Sequence, residues 1–306
     1  MDKLIERESA TRNPLVAAPA LAVQFFLIPL AVIAITVLVY IGFRSLISDG
    51  RTAKDCLAEV RNGSRGGRWL AAMELWQLMD DPKVRGDRSL GPSLVRAFEE
   101  SKGDDSRVRQ YLALAIGRLD PPLPPNAVAT LVTALDDPDA PARIGAICAL
   151  GASQDPAVAP RIQALYESPD AGVRKMVVYA LGALPGEAQI VTLRTALSDP
   201  VADVTWNAAV ALARHGNHAG VPVVLEMLDR DYVERTVKRA ARQEESVLLV
   251  FRVQSDQDPV ADVMITGLRA AASLKDSALR APVERLSRED RSMKVRQAAL
   301  EALKQL

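Results

Sequence analysis

The sequence predicts an all-α protein, an α-solenoid of about seven helical hairpins preceded by one transmembrane helix. Three observations carry this. Pro138, Pro169 and Pro200 recur at spacings of 31 and 31 residues, each inside a short polar turn. Residues 13–43 contain no charged residue, and Arg12 and Arg44 bracket the run. Hydrophobic residues make up 49% of the chain but aromatics only 4%, a composition suited to helices packed through small side chains.

The remaining composition removes several classes. The 306 residues carry 38 Lys+Arg against 38 Asp+Glu. A chain this apolar is not disordered, and 25% charged residues leaves no room for several membrane spans. There is no basic excess of the kind that phosphate binding needs, so no nucleic-acid partner is expected. Two cysteines, Cys56 and Cys148, make no disulfide framework. Arginine outnumbers lysine 29 to 9, a hint of a GC-rich, bacterial genome.

Residues 1–14 form a polar tail. Residues 15–43 follow as the transmembrane helix, because a helix needs roughly 20 apolar residues to cross a bilayer and Leu21–Phe43 supplies them. Pro29 would kink this span, and Tyr40 and Phe43 stand where the interface favours rings. A cleaved signal peptide is the competing reading, but its apolar region is typically only ~7–15 residues. Flanking charge is Lys3, Arg7 and Arg12 against Arg44, Arg51, Lys54 and Arg61, which places the larger domain on the cytoplasmic side of a bacterial inner membrane. Residues 44–51 are a short linker, and 52–306 the solenoid.

The solenoid unit follows from local chemistry. An apolar-periodic stretch such as Ala127–Leu135 forms a first helix. Asp136-Asp137-Pro138-Asp139 stops it, since proline cannot continue a helix interior and aspartate caps the next one. The second helix, such as Ala142–Leu150, is rich in Ala, Ile and Leu, and Gly151 or Gly182 is expected to end it as a C-cap. Asp258-Pro259-Val260-Ala261-Asp262-Val263 repeats Asp199-Pro200-Val201-Ala202-Asp203-Val204, but 59 residues on. Residues 230–257 are therefore an irregular insertion or a degenerate repeat.

The order Asp-Pro-Asp, Val-Arg, Ala-Leu-Gly resembles HEAT repeats, in particular the short HEAT-like repeats of the phycobilisome-lyase type, best at 136–151 and 168–184. The resemblance implies a superhelical scaffold that binds other proteins. Some relatives implied by it are enzymes: phycobilin lyases and a di-iron hydroxylase with His-Glu pairs. Here His215 and His218 have no neighbouring Glu in sequence, so no metal, cofactor or catalytic residue is expected.

Four arginines, Arg109, Arg143, Arg174 and Arg296, hold equivalent positions in the repeats and read as a structural ladder. The resemblance implies that they pair with turn aspartates such as Asp105, Asp139 or Asp170. Two surfaces are candidates for partner binding. Arg235, Lys238, Arg239 and Arg242 share one helix face within the insertion. Trp69 and Trp76, with Met73 and Met79, follow helical spacing in the first repeat. The expected function is a non-catalytic, membrane-anchored scaffold binding a protein partner at the bilayer. The alternatives are a sensor of anionic lipid or acidic surfaces through the basic helix, and a phycobilin-lyase-like enzyme.

Overall fold

The computed structural model describes Leu30 and residues 33–38, 51–121, 123–242 and 258–306, with the side chain of Arg242 excepted. The tail at 1–14, most of the proposed span at 15–43, residues 44–50 and the second half of the insertion lie outside the described residues. Leu30 and residues 33–38 are helical, and Leu30, Ile33, Ile35, Val37 and Leu38 are exposed. No helix among the described residues is long and apolar enough to cross a membrane. Residues Met1–Thr52 and Ala53–Leu306 are two separate units.

The second unit is all helical among its described residues, and its helices alternate as hairpins. α1 (Ala53–Asn62) pairs with α2 (Arg65–Leu78), and a single turn, α3 (Pro82–Arg85), follows. α4 (Leu90–Glu100) pairs with α5 (Ser106–Gly117), α6 (Ala127–Thr133) with α7 (Ala140–Ala152), and α8 (Ala159–Gln163) with α9 (Ala171–Ala183). α10 (Ile190–Ala196) pairs with α11 (Ala202–Arg214). α12 (Val221–Met227) is the first helix of the next hairpin, but α13 (Arg230–Arg242) intervenes before its second helix, α14 (Pro259–Leu274). α15 (Ser277–Glu289) and α16 (Met293–Leu303) close the stack. The irregular segment is thus an insertion into the turn between the two helices of one hairpin.

Aspartate caps three of the second helices, whereas at α7 the expected cap fails: Asp139 makes no side-chain bond to the helix and pairs with Arg109 instead, and Val201 and Ser292 hold that position at α11 and α16. Asp170 accepts from the amides of Gly172 and Val173, Asp105 from Arg107, and Asp258 from Val260. Each second helix then packs on the second helix of the next hairpin, burying Leu75, Leu112, Ile116, Ile147, Leu150 and Leu181 completely. Two apolar cores result, one running from Cys56 to Leu212 and one from Trp206 to Ala302, sharing α11.

Gly151 and Gly182 are not helix caps. They lie one residue inside the ends of α7 and α9, and neither has the positive φ of a left-handed cap. Their reason is packing. A Cβ on Gly117 would fall 2.6 Å from Ala149 Cα, one on Gly151 2.8 Å from Ala180 Cα, and one on Gly182 2.5 Å from Ala211 Cβ. Glycine faces alanine at every one of these crossings, which lets second helices approach backbone to backbone. First helices make far sparser contact with one another. The second helices therefore form the more closely packed layer of the stack.

Candidate partner-binding surface

The layer of second helices carries rings covered by guanidinium groups. Trp69 and Trp76, both on α2, are half-buried. Arg107 stands 4.3 Å from the Trp69 ring centre and Arg118 4.3 Å from that of Trp76. Tyr111 of α5 meets Trp76 at 5.7 Å between centroids, tilted by 44°. Further along, Arg214 lies 5.7 Å above the ring of Tyr179, which is exposed on α9. In all three contacts the arginine comes from the repeat after the one that supplies the ring. Each such contact contributes about 0.5–1 kcal/mol at an exposed site. Together they hold flat, rigid rings in place at the surface.

These arginines are not free charges. Arg118 donates to Asp80 Oδ1 at 2.7 Å and to the Trp76 carbonyl at 3.0 Å. Arg107 forms two side-chain hydrogen bonds to Asp105, whose carboxyl is held at about 2, chiefly by that guanidinium and then by the Arg107 amide. Burial pushes the Tyr111 hydroxyl above its usual range. Leu70, on α2 beside Trp69, is 47% exposed. The patch is therefore aromatic and apolar with its charges compensated, the composition of interface anchors.

The arginine ladder crosses between repeats. Arg109 is 4% exposed and forks onto Asp137 at 2.7 and 3.0 Å, with Asp139 at 2.7 Å. Arg174 forks onto Asp199 of the following turn at 2.8 and 3.1 Å. Arg143 instead donates to the carbonyls of Asp137 and Pro138, and Arg296 to that of Asp290. The turn after Arg143 has Ser168 where the others have aspartate, which removes its carboxylate partner. Asp105 and Asp170, implied as partners by the resemblance, are occupied as helix caps instead. Arg68 is a further rung, bonded to Asp104 at 2.6 Å.

Asp199 shows what the ladder does electrostatically. Burial alone would raise its carboxyl, but Arg174, the Val201 amide and the Tyr166 hydroxyl outweigh that and hold it below the usual carboxylate range. The Tyr166 hydroxyl is pushed up to about 12, first by burial and then by that carboxylate. A lowered folded pKa stabilises the fold above the unfolded value of ~4 and loses that contribution as pH falls through the folded one. Thermal melts should therefore drop steeply below about pH 4. Asp199→Asn should start less stable and show a shallower acid limb; an unchanged limb would contradict this assignment.

Two aspartates, Asp258 and Asp290, have no ladder arginine before them, because Thr205 and Met264 hold those positions. Arg230, the first residue of the inserted helix, takes over. It forks onto Asp290 at 2.8 and 2.6 Å and also lies in the field of Asp258. The Asp290 side chain is 1% exposed. Arg291 then bonds Glu234 one turn along α13. Val233 is fully buried beneath the helix, and Tyr232 and Val237 pack on the second core. Arg235, Lys238 and Arg239 point outward and are exposed, Lys238 at 3.8 Å from Glu234. The side chain of Arg242 lies outside the described residues.

Both histidines have partners. His215 Nε2 is 3.3 Å from the Leu181 carbonyl, and His218 Nδ1 is 2.8 Å from Asp276. Among the described residues no group of three or more His, Cys, Asp or Glu is placed to share a metal ion. Cys148 is half-buried on α7, and burial raises its thiol.

Sequence reasoning found Trp69, Trp76 and the repeat arginines but missed Arg107, Arg118 and Tyr111. The signal for these was present only as repeat phase: Arg118 and Arg214 both stand nine residues after a ladder position. Arg230 had no periodic signal at all.

Paired helices, glycine-mediated stacking and a shared arginine–aspartate ladder define a helical-repeat protein of the α-solenoid class. The model of HEAT repeats matches residues 92–166 and 158–244, and the chain belongs to the HEAT-repeat family. Among solved structures, a human deoxyhypusine hydroxylase in complex with glycerol is 18% identical over 86% of this chain and 98% of its own, with a TM-score of 0.34. An engineered protein is 17% identical over 83% of this chain and 95% of its own, with a TM-score of 0.38. No curated protein matches the chain.

Proposed function

We propose that this protein is a non-catalytic scaffold, anchored in the bacterial inner membrane by residues 15–43, whose solenoid holds a protein partner on the cytoplasmic face. The observation that carries the reading is the ring-and-guanidinium surface on α2 and α5. Tryptophan, tyrosine and arginine are the residues that dominate binding energy at interfaces, and here neighbouring repeats lock them in position. The ~31-residue phase fits the short repeats of the phycobilisome-lyase type as a structural variety, not as a chemistry.

The anchor rests on the uncharged run at 13–43 and on the exposed apolar side chains of Leu30, Ile33, Ile35, Val37 and Leu38. Tethering by such an anchor raises the effective concentration of other membrane proteins. Alkaline carbonate extraction of native membranes tests the anchor. The full chain should stay in the pellet and a chain lacking residues 1–43 should not. Release of the full chain would remove the anchor from this reading.

A further inference from the structure

Charge is unevenly divided along the solenoid. Residues 44–229 carry 20 basic and 23 acidic residues, whereas residues 230–306 carry 15 basic and 12 acidic ones. The basic excess reaches the surface on α13 and α15, where Arg235, Lys238, Arg239, Arg285 and Arg288 are exposed. Apart from Lys238, none of these forms an ion pair among the described residues. Among the described residues the carboxylates exposed on these helices are Asp231 and Glu289, together with the partly exposed one of Glu284, which lies 3.8 Å from Arg280.

The two helices are fixed to one another. Arg230 of α13 forks onto Asp290, and Arg291 bonds Glu234, so the first turn of α13 is pinned at the C-terminal end of α15. Arg235 follows Glu234 directly, and Arg288 lies two residues before Asp290. Along their helices, Arg235 and Arg288 are thus within two residues of that junction. The apolar side of α13 is spent on the core through Val233, Tyr232 and Val237, so this helix cannot turn an apolar face outward. Neither α13 nor α15 exposes a large apolar side chain.

We infer that the outer face of α13 and α15 binds the anionic phospholipid headgroups of a bilayer surface. The fit is to charge alone. An acidic protein partner would call for an apolar anchor at the centre of the contact, and this face offers none. A layer of anionic headgroups needs only a rigid set of outward cations, each worth about 1 kcal/mol near the surface. The inference rests on the membrane reading above only for its opportunity, since an anchored chain stands at such a surface. Its chemistry is independent.

Co-sedimentation with vesicles tests it, using residues 53–306, which close both of their own cores. Binding should be weak on phosphatidylcholine alone, rise with added phosphatidylglycerol and fall with salt. The Arg235→Gln/Lys238→Gln/Arg239→Gln variant should bind roughly a hundredfold more weakly, about fivefold per charge, and Arg285→Gln/Arg288→Gln about 25-fold more weakly. All five positions are exposed, so thermal melts of both variants should match the parent. Equal binding to neutral vesicles, or variants that bind like the parent, would overturn the inference. So would capture of a poly-glutamate peptide in preference to the anionic vesicles, which would assign the face to an acidic polypeptide. Carbonate release of the full chain would refute the anchor and leave the vesicle result standing.

Discussion

Replacing Arg230 by alanine is expected to destabilise the C-terminal repeats by about 3–5 kcal/mol while leaving the N-terminal repeats folded. The Asp290 carboxylate is 1% exposed, and its fork from Arg230 is the charge that compensates its burial. Without it, a buried anion keeps only the Ser292 amide and loses its guanidinium. The effect is local because a solenoid is held by contacts between neighbouring repeats. Trp206, 5% exposed in the second core, reports it directly by fluorescence in a Trp69→Phe/Trp76→Phe background. Its denaturant midpoint should fall sharply. Arg230→Lys should fall between the two, because lysine keeps the charge and loses the planar fork. A midpoint unchanged in the alanine variant would mean that the insertion is not pinned by this pair.

The second large effect is expected at Gly182. A Cβ there meets Ala211 Cβ at 2.5 Å and Ala211 Cα at 2.9 Å, and both sides are helix backbone that cannot yield singly. Alanine gains about 1 kcal/mol in helix propensity, yet overpacking costs about 1–3 kcal/mol, so Gly182→Ala should be a net loss of up to about 2 kcal/mol. Gly182→Val should lose about 3 kcal/mol or more and uncouple the repeats on either side, giving two unfolding transitions instead of one. Gly66, with nothing within 4 Å of its built Cβ, is the control. Gly66→Ala should gain about 0.5–1 kcal/mol. If Gly182→Ala is also stabilising in urea titration, the close-packed glycine account is wrong.

These positions also show what could be read from sequence. The 31-residue phase of Pro138, Pro169 and Pro200 marked the hairpins, because turn chemistry is local and repeats faithfully. Gly151 and Gly182 were visible by the same phase but misread as caps. A glycine near a helix end has two possible uses, and only the neighbouring helix decides between them. Trp69 and Trp76 followed helical spacing, yet the arginines above them come from the next repeat, where the spacing from Arg68 to Arg109 departs from 31 residues. Arg230 was illegible for a sharper reason. The insertion breaks the phase, and a residue outside the repeat does the work that Thr205 and Met264 cannot.

The proposed scaffold role requires the ring-and-guanidinium surface on α2 and α5 to hold a protein partner at the membrane. Crosslinking in native membranes, followed by solubilisation and recovery on the full-length protein, tests it most directly when the parent is compared with Trp69→Ala/Trp76→Ala. The parent should recover a membrane protein in stoichiometric amount. The double variant, folded and equally abundant, should lose it, since truncating an anchor tryptophan typically costs about 2–4 kcal/mol of binding. Recovery of no stoichiometric partner by the parent, or of the same partner by the variant, would contradict the account.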